Sequence, residues 1–388
     1  MRYKKKIIKK KSIRKNWLSK FTTLVGVNRS HMNKDILSHI PQGSPTTYFL
    51  IDCGAYIIPY LKYNVYTFNR TNITPFIKLL ENFYYLSSHA RDFKFLFFID
   101  NGVPEKIEAM YSAYKKNRKH SRHSSESKIV SRNILNTNEY VVNRTLITQF
   151  FTFLGQGVFY YNEADYQLGY ALKKMISKYN IDGNNIFVIS HDNDVMALIG
   201  HANCIRIKRN TKARTIDYPF YQKGLYVDYF EKDEHVYSYD EFIIRKALMG
   251  DKGDNILAPI LVKESFVKKL FTDYKFAYGH YTINLEQTFE IIKDKLINKI
   301  IKKSDTTETR TKIEERLAYE LRRNYLIFDV YNCEELFKPT DRKYMDVVLQ
   351  NLLTNQLKVN YNESYNVLKR VSVSHADMFQ SWRGKLGG

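Results

Sequence analysis

Three short, almost wholly apolar runs constrain the fold of this chain more than any other feature. They are residues 47–52 (TYFLID), 93–100 (FKFLFFID) and 186–190 (IFVIS). Apolar runs without alternation read as strands buried on both faces, which is how strands of a parallel sheet read. Helical patterns lie between them. Leu168, Ala171, Leu172, Met175 and Ile176 stand at i, i+3, i+4, i+7 and i+8, an apolar stripe on one helix face. Strand–helix alternation predicts an α/β fold with a parallel sheet, whose ligands bind at the carboxyl ends of the strands.

Acidic residues stand at those ends. Asp52 and Asp100 close two of the runs, and Asp192 and Asp194 follow the third in S-H-D-N-D. Glu163 and Asp165 open the helix of residues 164–178, and Asp251 and Asp254 punctuate the turn G-D-K-G-D-N. Singly, each has an ordinary reading as a helix cap, a turn former or a partner of the helix dipole. S-H-D-N-D is not a calcium loop, since Ala197 stands where that loop needs glycine. Together the eight point to one crowded edge. Ionised carboxylates that close repel one another unless hard cations neutralise them, and Mg²⁺ prefers such oxygen donors, with Mn²⁺ as a substitute.

The rest of the chain has the opposite sign. Lys+Arg 61 against Asp+Glu 40 gives net charge +21 and a pI near 9.5, which favours a polyanionic partner. A basic protein around an acidic, metal-dependent hole is suited to cleaving phosphodiesters. A hydrophobic content of 44%, with 15% aromatic residues, excludes general disorder. Cys53, Cys204 and Cys333 are dispersed without any C-x-x-C, which argues against a zinc site or disulfide framework and for a reducing compartment. No apolar stretch reaches membrane-spanning length and no secretory signal is visible. The expected location is cytoplasmic, with organelle import left open by the basic N-terminus.

The expected domains are a basic arm (1–40), a catalytic domain (41–238) and a mainly helical nucleic-acid-binding region (239–388). The arm reads first as a flexible phosphate-binding tail, with a presequence or a solvated helix as the alternatives. Residues 119–139 are polar, basic and serine-rich, as in a loop or marginal helix. Just before them, Tyr114-Lys115-Lys116-Asn117-Arg118 offers a ring for stacking an unpaired base and cations for a scissile phosphate. The tail Met378-Phe379-Gln380-Ser381-Trp382 reads as frayed, with docking on a sliding clamp as the alternative.

The order Asp52, FFIDNG, YKKNR, EAD, SHDND, GDKGDN resembles the metal-dependent 5′ nuclease superfamily: flap endonucleases, phage 5′–3′ exonucleases and the 5′-nuclease domains of bacterial DNA polymerases. It is most similar to the T-even phage ribonuclease H branch, which shares YKKNR, GDK-x-DN and the run RRNYLIFDVYN at 322–332. The likeness covers about residues 47–335. It implies a PIN-like α/β domain with two metal sites, a helical arch (about 105–150) and a two-metal mechanism. Asp100, Glu163, Asp165 and Asp192 would hold the first metal, Asp194, Asp251 and Asp254 the second, and Asp52 the shared edge. Lys115 and Arg118 would stand at the base of the arch. The implied activity is removal of RNA primers and 5′ flaps in replication and repair. Branched or flap DNA and RNA–DNA hybrids would be the substrates of a monomer, with a sliding clamp or single-strand-binding protein as candidate partner. A phage source, and so a host cytoplasm, follows from the resemblance alone.

Two departures stand out. Tyr166 replaces an aspartate that many relatives carry. Residues 256–263 (ILAPILVK) replace a glycine-rich hairpin, so that duplex binding falls to Lys263, Lys268, Lys269 and the arm, beside Tyr114, Lys115, Lys116 and Arg118. The alternatives are a catalytically inactive DNA-binding or scaffold subunit of the same fold, or a PIN-type ribonuclease of single-stranded RNA.

Overall fold

The computed structural model describes residues 46–63, 72–87, 92–116, 138–206, 208–210, 215–217, 220–221, 223, 239–259, 265, 267, 269 and 307–383. The basic arm, most of the serine-rich stretch, Asn117, Arg118, Lys263 and Lys268 lie outside them. No helix among the described residues is long and apolar enough to cross a membrane.

The three apolar runs are strands. β1 (Thr46–Asp52), β2 (Asp92–Phe98), β3 (Gly157–Phe159), β4 (Ile186–Ser190) and β5 (Asn203–Arg206) pair in parallel in the order β3-β2-β1-β4-β5. A hairpin of β6 (Lys208–Asn210) and β7 (Thr215–Asp217) stands apart, and β8 (Phe220–Tyr221) adds antiparallel to β5.

Both faces of the sheet are buried, which is why the runs do not alternate. Phe49, Ile51, Phe95, Phe97, Phe187 and Ile189 face one helical layer. It comprises α1 (Cys53–Tyr63), α2 (Thr74–Ser87), α4 (Asn138–Phe153), α10 (Tyr361–Val371) and α11 (Val373–Arg383). Tyr48, Leu50, Leu96, Phe98, Ile186 and Val188 face the other. That layer holds α3 (Glu105–Met110), α5 (Ala164–Ser177), α7 (Tyr239–Met249), α8 (Thr307–Phe328) and α9 (Pro339–Leu353). The short α6 (Asn193–Met196) follows β4. Rings dominate the first interface: Phe97 stacks on Phe151 at 4.0 Å between centroids. Each such burial stabilises the fold by roughly 1.5–3 kcal/mol.

One polar residue interrupts β2. Lys94 falls on the α9 face, where its Nζ donates to the Leu352 carbonyl (2.8 Å) at the end of α9. A cation there satisfies carbonyls that the helix leaves unpaired.

The C-terminal tail is not frayed. Residues 378–382 lie in α11, and Phe379 is buried against Phe150 (5.7 Å). An apolar ring at that position of an amphipathic helix gains more from the core than from solvent.

The strand order decides where a ligand can sit. The chain leaves β1 toward β2 on one side and later places β4 on the other. The crevice between the ends of β1 and β4 is therefore the topological switch point of the sheet.

Candidate metal centre

Asp52 ends β1 at that switch point and is 3% exposed. Its Oδ1 accepts the Gly54 (2.9 Å) and Ala55 (3.4 Å) amides at the start of α1. Its Oδ2 accepts the Ser190 hydroxyl (2.7 Å) from β4, with His191 Nδ1 at 3.6 Å. Asp100 lies two residues beyond β2, and its Oδ1 accepts the Ala164 amide (2.8 Å) that opens α5. The capping and clustering readings of these aspartates thus hold together, since the caps aim both residues at one place. A Cβ on Gly54 would stand 3.2 Å from Asp52 Oδ1 and 3.5 Å from Asp100 Oδ2.

Glu163 precedes α5 and receives the Tyr114 hydroxyl (3.0 Å) and the Lys115 ammonium (2.7 Å). Asp192 Oδ1 accepts the Asp194 amide (2.9 Å), turning S-H-D-N-D sharply into α6. The G-D-K-G-D-N turn closes on itself, with Asp251 and Ile256 exchanging backbone hydrogen bonds at 2.8 Å. Gly250 makes this closure feasible. Its φ is +67°, and a side chain there would meet the Ile256 carbonyl and the Ala258 amide.

Lys115 joins this turn to the strand-end acids. Its amide donates to the Asp254 carbonyl (2.8 Å), and its Nζ lies 3.8 Å from Asp254 Oδ2 as well as on Glu163. Asn255 donates to the Ala113 carbonyl (2.8 Å), and Tyr111 donates to the Asn255 carbonyl (2.8 Å). The run at 322–332 supports the turn from behind. Asn324, fully buried, donates to the Ala247 (3.0 Å) and Leu257 (2.8 Å) carbonyls. Tyr239 of α7 donates to Asp329 (2.8 Å). Tyr166, the departure from the superfamily pattern, donates to the Ile327 carbonyl (2.7 Å) and so packs this support against α5.

Glu163, Asp165, Asp192, Asp194 and Asp254 line one small void of about 10 Å³. That is room for about one water-sized occupant. Asp52 and Asp100 stand behind it, close enough to act on Asp165 through charge. Asp251 does not line it; that carboxylate is held outside by Lys246 Nζ at 2.7 Å. The same ammonium lies 3.1 Å from Asp194 Oδ1. This second contact is an ion pair without hydrogen-bond alignment, since Asp194 Oδ1 is buried and accepts no hydrogen bond. Among the described residues, no three Asp, Glu, His or Cys side chains converge on a single ion position. Lys115 and Lys246 share the neutralisation instead. The carboxylates share the void with Tyr114, Tyr166, Ile256, Ile327, Phe328 and Val330, and their hard oxygens are the donor type that a divalent cation takes.

Lys246 is the residue that sequence reasoning missed. A lysine in the last turn of a helix reads as a partner of the helix dipole, and nothing local shows that Asp194 lies beside it. Tyr114 requires correction. Its ring is only 8% exposed and its hydroxyl is spent on Glu163, so it supports the acids from within the core and is not an open stacking face. Lys116 and Lys269 are exposed.

Burial, followed by the neighbouring Asp52, pushes the Asp100 carboxyl up to about 6. Burial, which outweighs the Lys246 ammonium, pushes Asp194 up to about 7. Burial and then Asp192 hold Asp165 well above the usual carboxylate range. Burial acts on Asp251 in the same sense, but Lys246 overrides it and holds that group below the usual range. The three raised groups bind protons more tightly in the folded protein than in the unfolded chain, where carboxyls titrate near pH 4. The contribution of Asp100 and Asp194 to stability is fully present below about pH 4 and is lost as pH rises through about 6–7, and Asp165 acts in the same direction. Asp251 acts in the opposite sense, in a window below pH 4. The metal-free protein is therefore expected to lose melting temperature between pH 5 and 8. A divalent cation that binds the ionised acids should restore more at pH 8 than at pH 5. Thermal melts with Mg²⁺ or chelator check this; a Mg²⁺ effect independent of pH would count against the cluster.

No protein-family model matches the chain, and no curated protein matches it in sequence. Solved structures do match. A zinc-bound T5 5′-exonuclease aligns with 80% of this chain and 98% of its own, at 16% identity and a TM-score of 0.51. The bacteriophage T5 D15 flap endonuclease, in a pseudo-enzyme-product complex with DNA and metal ions, aligns with 79% of this chain and 98% of its own, at 16% identity and a TM-score of 0.50. At these identities the likeness is one of fold: the chain has the PIN-like α/β fold of the 5′ nucleases that its motif order resembles.

Proposed function

We propose that this protein is a divalent-metal-dependent, structure-selective 5′ nuclease, a 5′–3′ exonuclease and flap endonuclease for branched DNA and RNA–DNA hybrids in replication and repair. The observation that carries this reading is the void at the switch point. Five carboxylates from three separate chain segments line it, in a protein of net charge +21. A binding or scaffold subunit for nucleic acid gains nothing from that arrangement, since the acids repel the phosphate backbone. The fold's T5 counterparts, one with zinc and one with DNA and metal ions, support it.

Asp100, Glu163, Asp165 and Asp192 would hold one Mg²⁺, and Asp194, Asp254 and, once released by Lys246, Asp251 a second. The metals would supply Lewis acidity and an activated water. The chain's own residues do the rest. Asp52 and Ser190 lock the ends of β1 and β4 together, so the donors stay fixed. Lys115, held by Glu163 and Asp254, would meet the charge of the scissile phosphate. Arg118, Lys116, Lys263, Lys268, Lys269 and the arm would contact the nucleic-acid backbone. Clamp docking through residues 378–382 is not part of this proposal, because Phe379 would have to leave the core.

The test is a gel comparing 5′-flap DNA, nicked RNA–DNA hybrid and single-stranded RNA, each with Mg²⁺, Mn²⁺ or chelator. The expected result is metal-dependent cutting of the first two, releasing 5′-phosphorylated products. Cutting of single-stranded RNA alone would favour the ribonuclease reading. Lys115→Ala should slow single-turnover cleavage by about 10²-fold or more and weaken binding much less. Equal losses in rate and affinity would make Lys115 an ordinary phosphate contact.

A further inference from the structure

His191 has no part in the mechanism above, yet it stands at the edge of the carboxylate centre. It follows β4 and separates Ser190 from Asp192. The Ser190 hydroxyl donates to Asp52 Oδ2 (2.7 Å) and accepts the Asp192 amide (3.1 Å), which holds the residue between them against the end of β1. The His191 Nδ1 lies 3.6 Å from Asp52 Oδ2. The carboxylates of Asp52, Asp192 and Asp100 all act on the ring through charge. The ring is 43% exposed, so an ion from solvent can reach it although Asp52 itself is buried.

The ordinary reading of such a histidine is a counter-charge for the aspartate. The separation argues for more than that. A charge-assisted N–H···O bond closes to about 2.7–2.9 Å. Two donors that share one divalent ion, each about 2.0–2.2 Å from it, stand roughly 3–3.6 Å apart. The observed 3.6 Å belongs to the second range. The approach is also clear. Asp100 Oδ1 is engaged by the Ala164 amide, and its Oδ2 faces Gly54. A Cβ on that glycine would stand 3.2 Å from Asp52 Oδ1 and 3.5 Å from Asp100 Oδ2, so its absence leaves room before both acids.

A nitrogen donor changes what the centre selects. Carboxylates and water suit Mg²⁺ and Mn²⁺, whereas imidazole suits Zn²⁺ and its transition-metal neighbours. We propose that Asp52 Oδ2 and His191 Nδ1 are two donors to one divalent transition-metal ion, and that the imidazole tilts the centre toward such metals over Mg²⁺. Water completes the shell of the ion. This inference rests on the metal-centre reading above and adds to it a donor that the eight carboxylates do not supply.

The probe is Mn²⁺, added at one equivalent to the full chain at pH 8. One sample is unlabelled and the other carries ¹⁵N in its histidine rings. Electron spin-echo modulation should show a directly coupled ¹⁴N in the first, replaced by ¹⁵N in the second and absent in His191→Gln. Thermal melts should show the Zn²⁺ concentration for half-maximal stabilisation rising about tenfold in His191→Gln, with that for Mg²⁺ moving less than about twofold. A counter-charge alone predicts neither the coupling nor the split between metals. The wild-type spectra decide the donor whether or not the variant folds. Bound Mn²⁺ without histidine coupling in wild type, or coupling that persists in a folded His191→Gln, overturns the proposal and leaves the carboxylate centre standing. Failure of Mn²⁺ to bind wild type at all would overturn the centre together with it.

Discussion

Asp192→Asn or Asp194→Asn should reduce single-turnover cleavage of a flap or hybrid substrate by on the order of 10³-fold, while affinity stays within a few-fold. A loss of that size matches removal of one preorganised charge-stabilising group. Affinity survives because it comes from basic residues elsewhere and from counterion release. The change is small in shape: an asparagine at 192 keeps an oxygen for the Asp194 amide, so the turn into α6 is retained. In the metal-free protein Asp194→Asn should raise the melting temperature at pH 8, because it removes a buried carboxylate whose pKa stands near 7. Normal turnover in both variants would remove the two-metal assignment.

Lys246→Met should destabilise the metal-free protein by about 2–4 kcal/mol at pH 8 and much less at pH 5.5. Burial opposes the ammonium, but Asp194 and Asp251 outweigh it and hold its pKa above the usual lysine value. Without it, those two carboxylates lose their shared counter-charge. At pH 5.5 Asp194 is already protonated and the loss shrinks. Mg²⁺ at pH 8 should restore most of the lost stability, and the variant should need less Mg²⁺ for half-maximal stabilisation, since no ammonium competes for Asp194 and Asp251. Thermal melts across pH and Mg²⁺ read all three effects. Met preserves the length of the stem, which matters because Lys246 also lies over the Phe328 ring at 5.0 Å. A loss equal at both pH values and unmoved by Mg²⁺ would mean that Lys246 serves as packing alone.

The amino-acid sequence by itself determined the three central strands, the layer type and the placing of acids at the strand ends. Residues 47–52, 93–98 and 186–190 announce strands because burial on both faces forces continuous apolar runs, and that demand acts within a few residues. The acids at their ends are equally local, for a strand of a parallel sheet must stop where its ligand edge begins. Tertiary structure alone decided what each acid does. That Asp100 caps α5, that Lys246 divides its charge between Asp194 and Asp251, and that Tyr114 is sealed beneath Glu163 all depend on segments distant in the chain. The same holds for Asn324 behind the turn. A periodic pattern records which face of an element is apolar; it does not record which polar side chain of another element will meet it there, because that meeting is set by the packing of whole layers.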